Sequence, residues 1–107
     1  MKRLAAVPLL LLLTACGSVH IARINADPSR YANRTVTVTG RVVTSVGVLG
    51  KGGYELDDGT GRIYVISGTG VPSRGSTVKV TGAVAPGVQV LGSPVGVAIR
   101  EQQHRVK

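Results

Sequence analysis

The chain has 107 residues, with 13 Lys and Arg against 5 Asp and Glu, for a formal charge of +8. That length allows one small domain and argues against a large multi-domain enzyme. Three tyrosines are its only aromatic residues, so a core must be built from Val, Ile and Leu, and a hydrophobic content of 43% argues against disorder.

Lys2 and Arg3 precede an apolar run, Leu4–Leu13, that contains Pro8 and ends in five leucines. A run of this length fills the apolar region of a signal peptide, whereas a membrane-spanning helix needs about 20 residues. Small residues follow at Thr14-Ala15, next to Cys16 and Gly17, as a signal peptidase pocket requires. The tetrapeptide Leu13-Thr14-Ala15-Cys16 resembles the lipobox of bacterial lipoproteins. That resemblance implies removal of residues 1–15 and diacylation of the Cys16 thiol. Cys16 then becomes the mature N-terminus, often acylated on its amine as well. Two acyl chains hold a protein stably on a membrane where one does not. The other reading is a buried structural cysteine beside an ordinary cleavage site. Cys16 is the chain's one cysteine, so lipidation leaves no thiol and no disulfide. The exported domain then depends on its apolar core. The expected location is the cell envelope, on a membrane face toward the periplasm or exterior. Gly17 does not resemble an inner-membrane retention signal, which favours the outer membrane where two exist. The covalent lipid is the only group expected, with no cofactor. Without Lys2 and Arg3 the mature charge is +6.

Residues 16–25 read as the lipidated terminus and a spacer, and residues 26–107 as one domain. Asp27-Pro28-Ser29-Arg30-Tyr31 predicts a single helical turn, with Asp27 as its cap and Pro28 at its first position. Tyr31 is expected to pack that turn on the core. The period then becomes two. Val36, Val38, Gly40 and Val42 fall on one face of a strand ending near Val43, and Thr37, Thr39 and Arg41 fall on the other. Gly50–Gly53 reads as a loop and Tyr54–Asp57 as a second strand. Asp57-Asp58-Gly59-Thr60-Gly61 is a tight hairpin, because Asp-Gly tolerates the positive φ of such turns. Arg62–Ser67 is a third strand, and Gly68–Gly75 a loop without helical periodicity. Ser76–Ala85 is a fourth strand, ended by a Pro86-Gly87 turn. Val88–Leu91 pairs briefly, Gly92-Ser93-Pro94 turns again, Val95–Arg100 is a fifth strand, and Glu101–Lys107 is a polar tail.

Val36-Thr37-Val38-Thr39-Gly40-Arg41-Val42 echoes Val78-Lys79-Val80-Thr81-Gly82-Ala83-Val84. Glycine in mid-strand weakens a strand by about 0.5–1 kcal/mol relative to Ala. It therefore marks a bulge or bend, and two bent strands can each serve both halves of a curled sheet. Segments 36–43, 54–65 and 70–84 resemble an OB-fold domain. Tyr54-Glu55-Leu56-Asp57-Asp58-Gly59-Thr60-Gly61-Arg62-Ile63 is similar to the second and third strands of nucleic-acid-type OB domains. The expected fold is all-β: a five-stranded Greek-key OB-like barrel with a short N-terminal helical turn, behind a signal peptide. It departs from the family in lacking a helix between the third and fourth strands, so one barrel end is expected to be poorly plugged.

Catalytic signals in the sequence are poor. His20 and His104 lie at opposite ends without metal-ligand spacing and read as surface histidines. There is no zinc-ligand spacing, phosphate loop, dinucleotide fingerprint or Gly-x-Ser-x-Gly elbow. Gly50-Lys51-Gly52-Gly53 offers amides and a cation but not phosphate-loop spacing. Asp57 and Asp58 suit turn-opening bonds to backbone amides better than a metal site. With Leu56, Ile63 and Val65 inward beside a core Tyr54, the residues Glu55, Asp57, Arg62 and Tyr64 point outward. Arg41 and Lys79 lie on the outward rows of the first and fourth strands. These six residues form the candidate ligand-binding face of the OB resemblance. Arg62 is expected to pair with Glu55 or Asp57 across the hairpin. Tyr64 alone is a thin stacking platform for single-stranded nucleic acid, where each stacked base contributes about 1–3 kcal/mol. The arginines are spread along the sequence, which favours a solubility role for the charge.

The leading expectation is a non-catalytic OB-fold binding or adaptor lipoprotein, held at the envelope membrane by Cys16. Its partner is expected to be an envelope protein or a glycan. An extracytoplasmic single-stranded nucleic-acid binder and a structural subunit of an envelope complex are the alternatives. The shortage of aromatic residues counts against nucleic acid.

Overall fold

The computed structural model describes residues 18–48, 51–90 and 93–107. The lipobox, with Cys16, lies outside them, as do Gly50, Leu91 and Gly92. Two short helices precede five strands: α1 (Ile21–Ala26), α2 (Pro28–Tyr31), β1 (Thr35–Val48), β2 (Lys51–Asp57), β3 (Arg62–Ser67), β4 (Thr77–Val90) and β5 (Ser93–Val106).

The two-residue period of β1 becomes burial. Val36, Val38 and Val42 are buried, while Arg41 is exposed. β1 and β4 each run for 14 residues, longer than the alternation suggested. Their length lets each pair twice. β1 pairs antiparallel with β4 over Thr35–Arg41 and with β2 over Arg41–Val48. The handover falls beside Gly40, where an added Cβ would lie 2.9 Å from the Asp57 carbonyl oxygen. Glycine is required there by close backbone approach. Gly82 plays the same part on β4, at a bulge against β5. A short parallel pairing of β3 with β5 closes the barrel in the order β1-β2-β3-β5-β4. This five-stranded Greek-key closure is the OB fold.

Val, Ile and Leu fill the interior together with Tyr54. The expected spacer is in fact part of the domain. Residues Ile21–Ala26 form α1, and Ile21 and Ile24 are fully buried. Three residues apart, they share one helix face, and burying each stabilises by roughly 1.5–3 kcal/mol. Asn25 Nδ2 donates to the Arg62 carbonyl at 2.8 Å, so α1 covers the barrel end at which the β2–β3 hairpin turns. Tyr31 packs partly buried against the core. Asp27 does not cap α2 through its side chain; its backbone N–H bonds back to Arg23, so the preceding helix dictates its geometry.

The other expected breaks give way to strand. Lys51–Gly53 open β2 rather than close a loop. Pro86 and Gly87 sit in a bulge of β4, and the strand continues through Val90. Ser93 and Pro94 open β5, paired with Val90 and Gln89. The polar tail is the second half of β5, paired with β4 as far as Val106. The β3–β4 connector carries no helix, as its glycine content led one to expect.

Candidate binding groove

The hairpin sets the site. Asp57 Oδ1 accepts from the Gly59 N–H at 2.8 Å, and Asp58 Oδ1 accepts from the Thr60 N–H, at 2.8 Å, and the Gly61 N–H, at 3.2 Å. Asp58 Oδ2 accepts from the Ile21 N–H at 2.9 Å, which ties α1 to the turn. Burial opposes the charge on Asp58, but these amides and the Thr60 hydroxyl outweigh it and hold the carboxyl below its ordinary value. Both aspartates thus serve the turn.

Outward from the hairpin, Arg41, Asp57 and Arg62 occupy adjacent positions across β1, β2 and β3. Arg62 Nε donates to Asp57 Oδ2 at 3.1 Å, so the expected cross-hairpin pair forms with Asp57 and not Glu55. Glu55 faces Tyr64 in the next outward row. The Arg62 and Asp57 side chains are 59% and 32% exposed. A pair that exposed contributes only about 0.2–1 kcal/mol, so Arg62 can be released to a ligand at small cost.

An open groove of about 760 Å³ runs beside this row, lined by Arg41, Thr44, Asp57, Arg62 and Arg74 among others. Arg74 was not expected here. The β3–β4 connector brings it in because the Gly75 N–H donates to the Val42 carbonyl at 2.7 Å, and the Val42 N–H to the Ser76 carbonyl at 2.8 Å. Arginines 21 and 12 residues apart along the chain thereby line one groove. Their scatter in the sequence concealed the cluster. Three arginines and a single acidic residue, Asp57, line this groove. Guanidinium offers paired N–H donors that match carboxylate and phosphate oxygens. Glu55 and Tyr64 lie further along the same outer face. Lys79 lies away from the groove, on β4 opposite Arg105 of β5.

The polar end of the chain held a second surprise. Glu101 and His104 point into the barrel, and the Glu101 side chain is only 1% exposed. Residues three apart on a regular strand face opposite ways. Here Gln102 is the extra residue of a bulge between the Gly82–Glu101 and Thr81–Gln103 pairs, which returns His104 to the side of Glu101. Glu101 Oε1 accepts from the Tyr54 hydroxyl and from His104 Nδ1, the latter at 2.8 Å. Its Oε2 accepts from Ser67 Oγ at 2.9 Å and Thr69 Oγ1 at 3.2 Å. The Tyr54 and His104 rings meet edge to face, 6.0 Å apart. Burial disfavours the Glu101 charge, yet the bonds from Tyr54, His104 and Ser67 prevail and hold its carboxyl below the ordinary value. Burial, and then the bond and charge of Glu101, push the Tyr54 phenol far above its own. This cluster sits at the Ser67 end of β3, opposite α1, and fills the end that the absent helix leaves. His104 is therefore a half-buried structural partner, not the surface residue expected, whereas His20 is exposed. Among the described residues no group of three metal-ligating side chains gathers.

No protein-family model matches the sequence, and no curated protein sequence does either. Solved structures do match in fold. Asparaginyl-tRNA synthetase from Pyrococcus horikoshii superposes with a TM-score of 0.66 at 20% identity, covering 85% of this chain and 23% of the synthetase. The hypothetical protein YgiW from E. coli gives 0.60 at 20% identity, covering 87% of this chain and 92% of YgiW. An OBody bound to hen egg-white lysozyme gives 0.57 at 18% identity, covering 72% and 84%. The chain thus spans under a quarter of the synthetase, and at these identities the likeness is one of fold.

Proposed function

We propose that the protein is a non-catalytic OB-fold binding or adaptor lipoprotein of the bacterial cell envelope. In this reading a lipid on Cys16 holds it to the membrane. The Arg41–Arg62–Arg74 groove grips an anionic group on an envelope protein or glycan. The groove carries the reading: three arginines line it beside one carboxylate, in an exposed pair with Arg62. The lipobox resemblance supplies the location, and the OBody bound to lysozyme is a neighbour of the same fold that engages a protein.

The test has two arms. Cys16→Ala should leave an unprocessed or soluble chain; normal cleavage and retention on the membrane would overturn the anchor. Arg41→Ala with Arg74→Ala should abolish partner capture from membranes, read by cross-linking and mass spectrometry, while the barrel still melts cooperatively. Unchanged capture would remove the groove from the function. Single-stranded nucleic acid is the second reading, because the groove is basic and a tRNA synthetase is among the structural neighbours. Tyr64 is the single ring on this face, and salt-insensitive or absent oligonucleotide binding would exclude that reading.

A further inference from the structure

The outer face built by β1, β4 and β5 is segregated by charge. Arg41, Lys79, Arg105 and Lys107 lie on it, interleaved with Thr35, Thr37, Thr39, Thr77, Thr81 and Gln103. The chain has five acidic residues. Asp27 lies between the helices, Glu55 and Asp57 are on β2, Asp58 is in the hairpin, and Glu101 is inside the barrel. Among the described residues no acidic side chain shares this face. Lys79 and Arg105 are moreover direct cross-strand partners. Like charges placed opposite each other destabilise a sheet, so a bound anion would relieve the pair. Beside them lies a cleft of about 210 Å³ whose walls include Thr37, Lys79, Thr81, Gln103 and Arg105. The Thr37 and Thr81 hydroxyls hydrogen-bond each other at 3.1 Å, which leaves one O–H to donate to a bound oxyanion.

Position along the chain says which anion. Ser18 lines the same cleft and bridges to Thr37, and the Val19 N–H donates to the Thr37 carbonyl at 2.9 Å. Cys16 is two residues earlier, and two residues span at most about 7 Å. A lipid on Cys16 therefore brings this face to the membrane surface without a long tether. We propose that the β1–β4–β5 face docks on the membrane, with the Lys79–Arg105 cleft seating the phosphate of an anionic phospholipid headgroup. This rests on the lipidation reading above. Acyl chains supply attachment, and Lys79, Arg105 and Lys107 orient the barrel, leaving the Arg41–Arg62–Arg74 groove free for a partner. Each cation near an anionic surface adds about 1 kcal/mol, which is about a fivefold preference.

The test uses the full lipidated chain in vesicles of phosphatidylcholine, with or without phosphatidylglycerol. A spin label is placed at Gln103→Cys on this face or at Thr44→Cys on the β1–β2 side. The measurement is accessibility to a water-soluble relaxing agent. The Gln103 label should be protected in the anionic vesicles and exposed again at about 1 M salt, where screening shortens to about 3 Å. The Thr44 label should stay accessible throughout. Lys79→Glu with Arg105→Glu should remove the protection while the protein remains anchored. Equal accessibility of both labels in anchored protein overturns the proposal. So does protection of Gln103 by single-stranded oligonucleotide in place of anionic lipid. Mass spectrometry of the same sample reads the acyl group on Cys16 independently. Protection by anionic vesicles without that acyl group sustains the docking face and overturns only the anchor.

Discussion

Truncating Glu101 to Ala should be among the most damaging single changes in the barrel, although the residue sits in a polar stretch near the C-terminus. Four side chains direct donors at its carboxylate: Tyr54, His104, Ser67 and Thr69. Hydrogen bonds to a charged group contribute about 1.5–3 kcal/mol each, and an orphaned buried donor costs about 1–3 kcal/mol. The four are not equal. Ser67 Oγ has the Gly70 carbonyl at 2.6 Å as a second acceptor, and Thr69 is exposed to water. The Tyr54 hydroxyl and His104 Nδ1 lose most. Release of a buried carboxylate offsets part of that loss. The net expectation is about 3–5 kcal/mol, a large part of the roughly 5–15 kcal/mol available to a domain. At about 4–8 °C per kcal/mol, thermal unfolding should shift down by at least about 12 °C. Circular dichroism melts of Glu101→Ala and Tyr54→Phe, singly and together, form a cycle with an expected coupling of about 1–2 kcal/mol. An Ala variant melting within about 3 °C of the parent, or a coupling near zero, would refute the view that this cluster closes the barrel end.

Two further outcomes follow from the same coordinates. Glu101 and Asp58 both bind protons more weakly when folded, below their ordinary values of 4.5 and 3.8. Their stabilisation is therefore complete above those values and is lost as pH falls through the depressed folded ones. Melting temperature should drop on acidification below about pH 4.5, and Glu101→Gln should flatten that slope; an unchanged slope would exclude Glu101 as its source. At Gly82 an added Cβ would lie 2.3 Å from the Arg100 carbonyl oxygen, whereas at Gly68 it meets nothing within 4 Å. Urea denaturation should show Gly82→Ala destabilised by about 1–3 kcal/mol or more, with Gly68→Ala neutral or stabilised by up to about 1 kcal/mol. Equal effects would contradict the close strand crossing at Gly82.

The legible parts of the fold were those with a local physical signature. β-branched alternation showed β1, β3 and the start of β4, and an Asp-Gly turn showed the hairpin. Gly40 and Gly82 marked the bends, because glycine in a strand is costly unless backbone must approach backbone. The missed parts depend on tertiary events. Ile21 and Ile24 carry a helical spacing, but six residues are too few for a helix that only packing stabilises. Pro86 and Gly87 read as a turn, because a bulge that keeps both in a strand needs a partner already in place. Glu101 and His104 read as tail, because the bulge at Gln102 that turns both inward comes from pairing with β4. Among the candidate residues, Arg41, Asp57 and Arg62 were placed together by register alone. Arg74 reached the groove through two backbone bonds that no pattern announces.

The same tertiary events change the meaning of the charge. Counted along the sequence, five acids temper thirteen bases. In the fold, Glu101 is withdrawn into the barrel and Asp58 is bound by amides of the turn, so the acids are spread unevenly over the surface. Asp57 neutralises Arg62 in part, and Glu55 lies one row further along β2. The basic surplus falls on two surfaces that meet at Arg41. One is the groove of Arg41, Arg62 and Arg74, and the other is the β1–β4–β5 face beside Ser18. A charge serving only solubility has no reason to keep acidic side chains of the described residues off one face or to set Lys79 against Arg105. Two adjoining basic surfaces, one next to the expected anchor and one reaching away from it, suit a small barrel that holds a membrane and a partner at once.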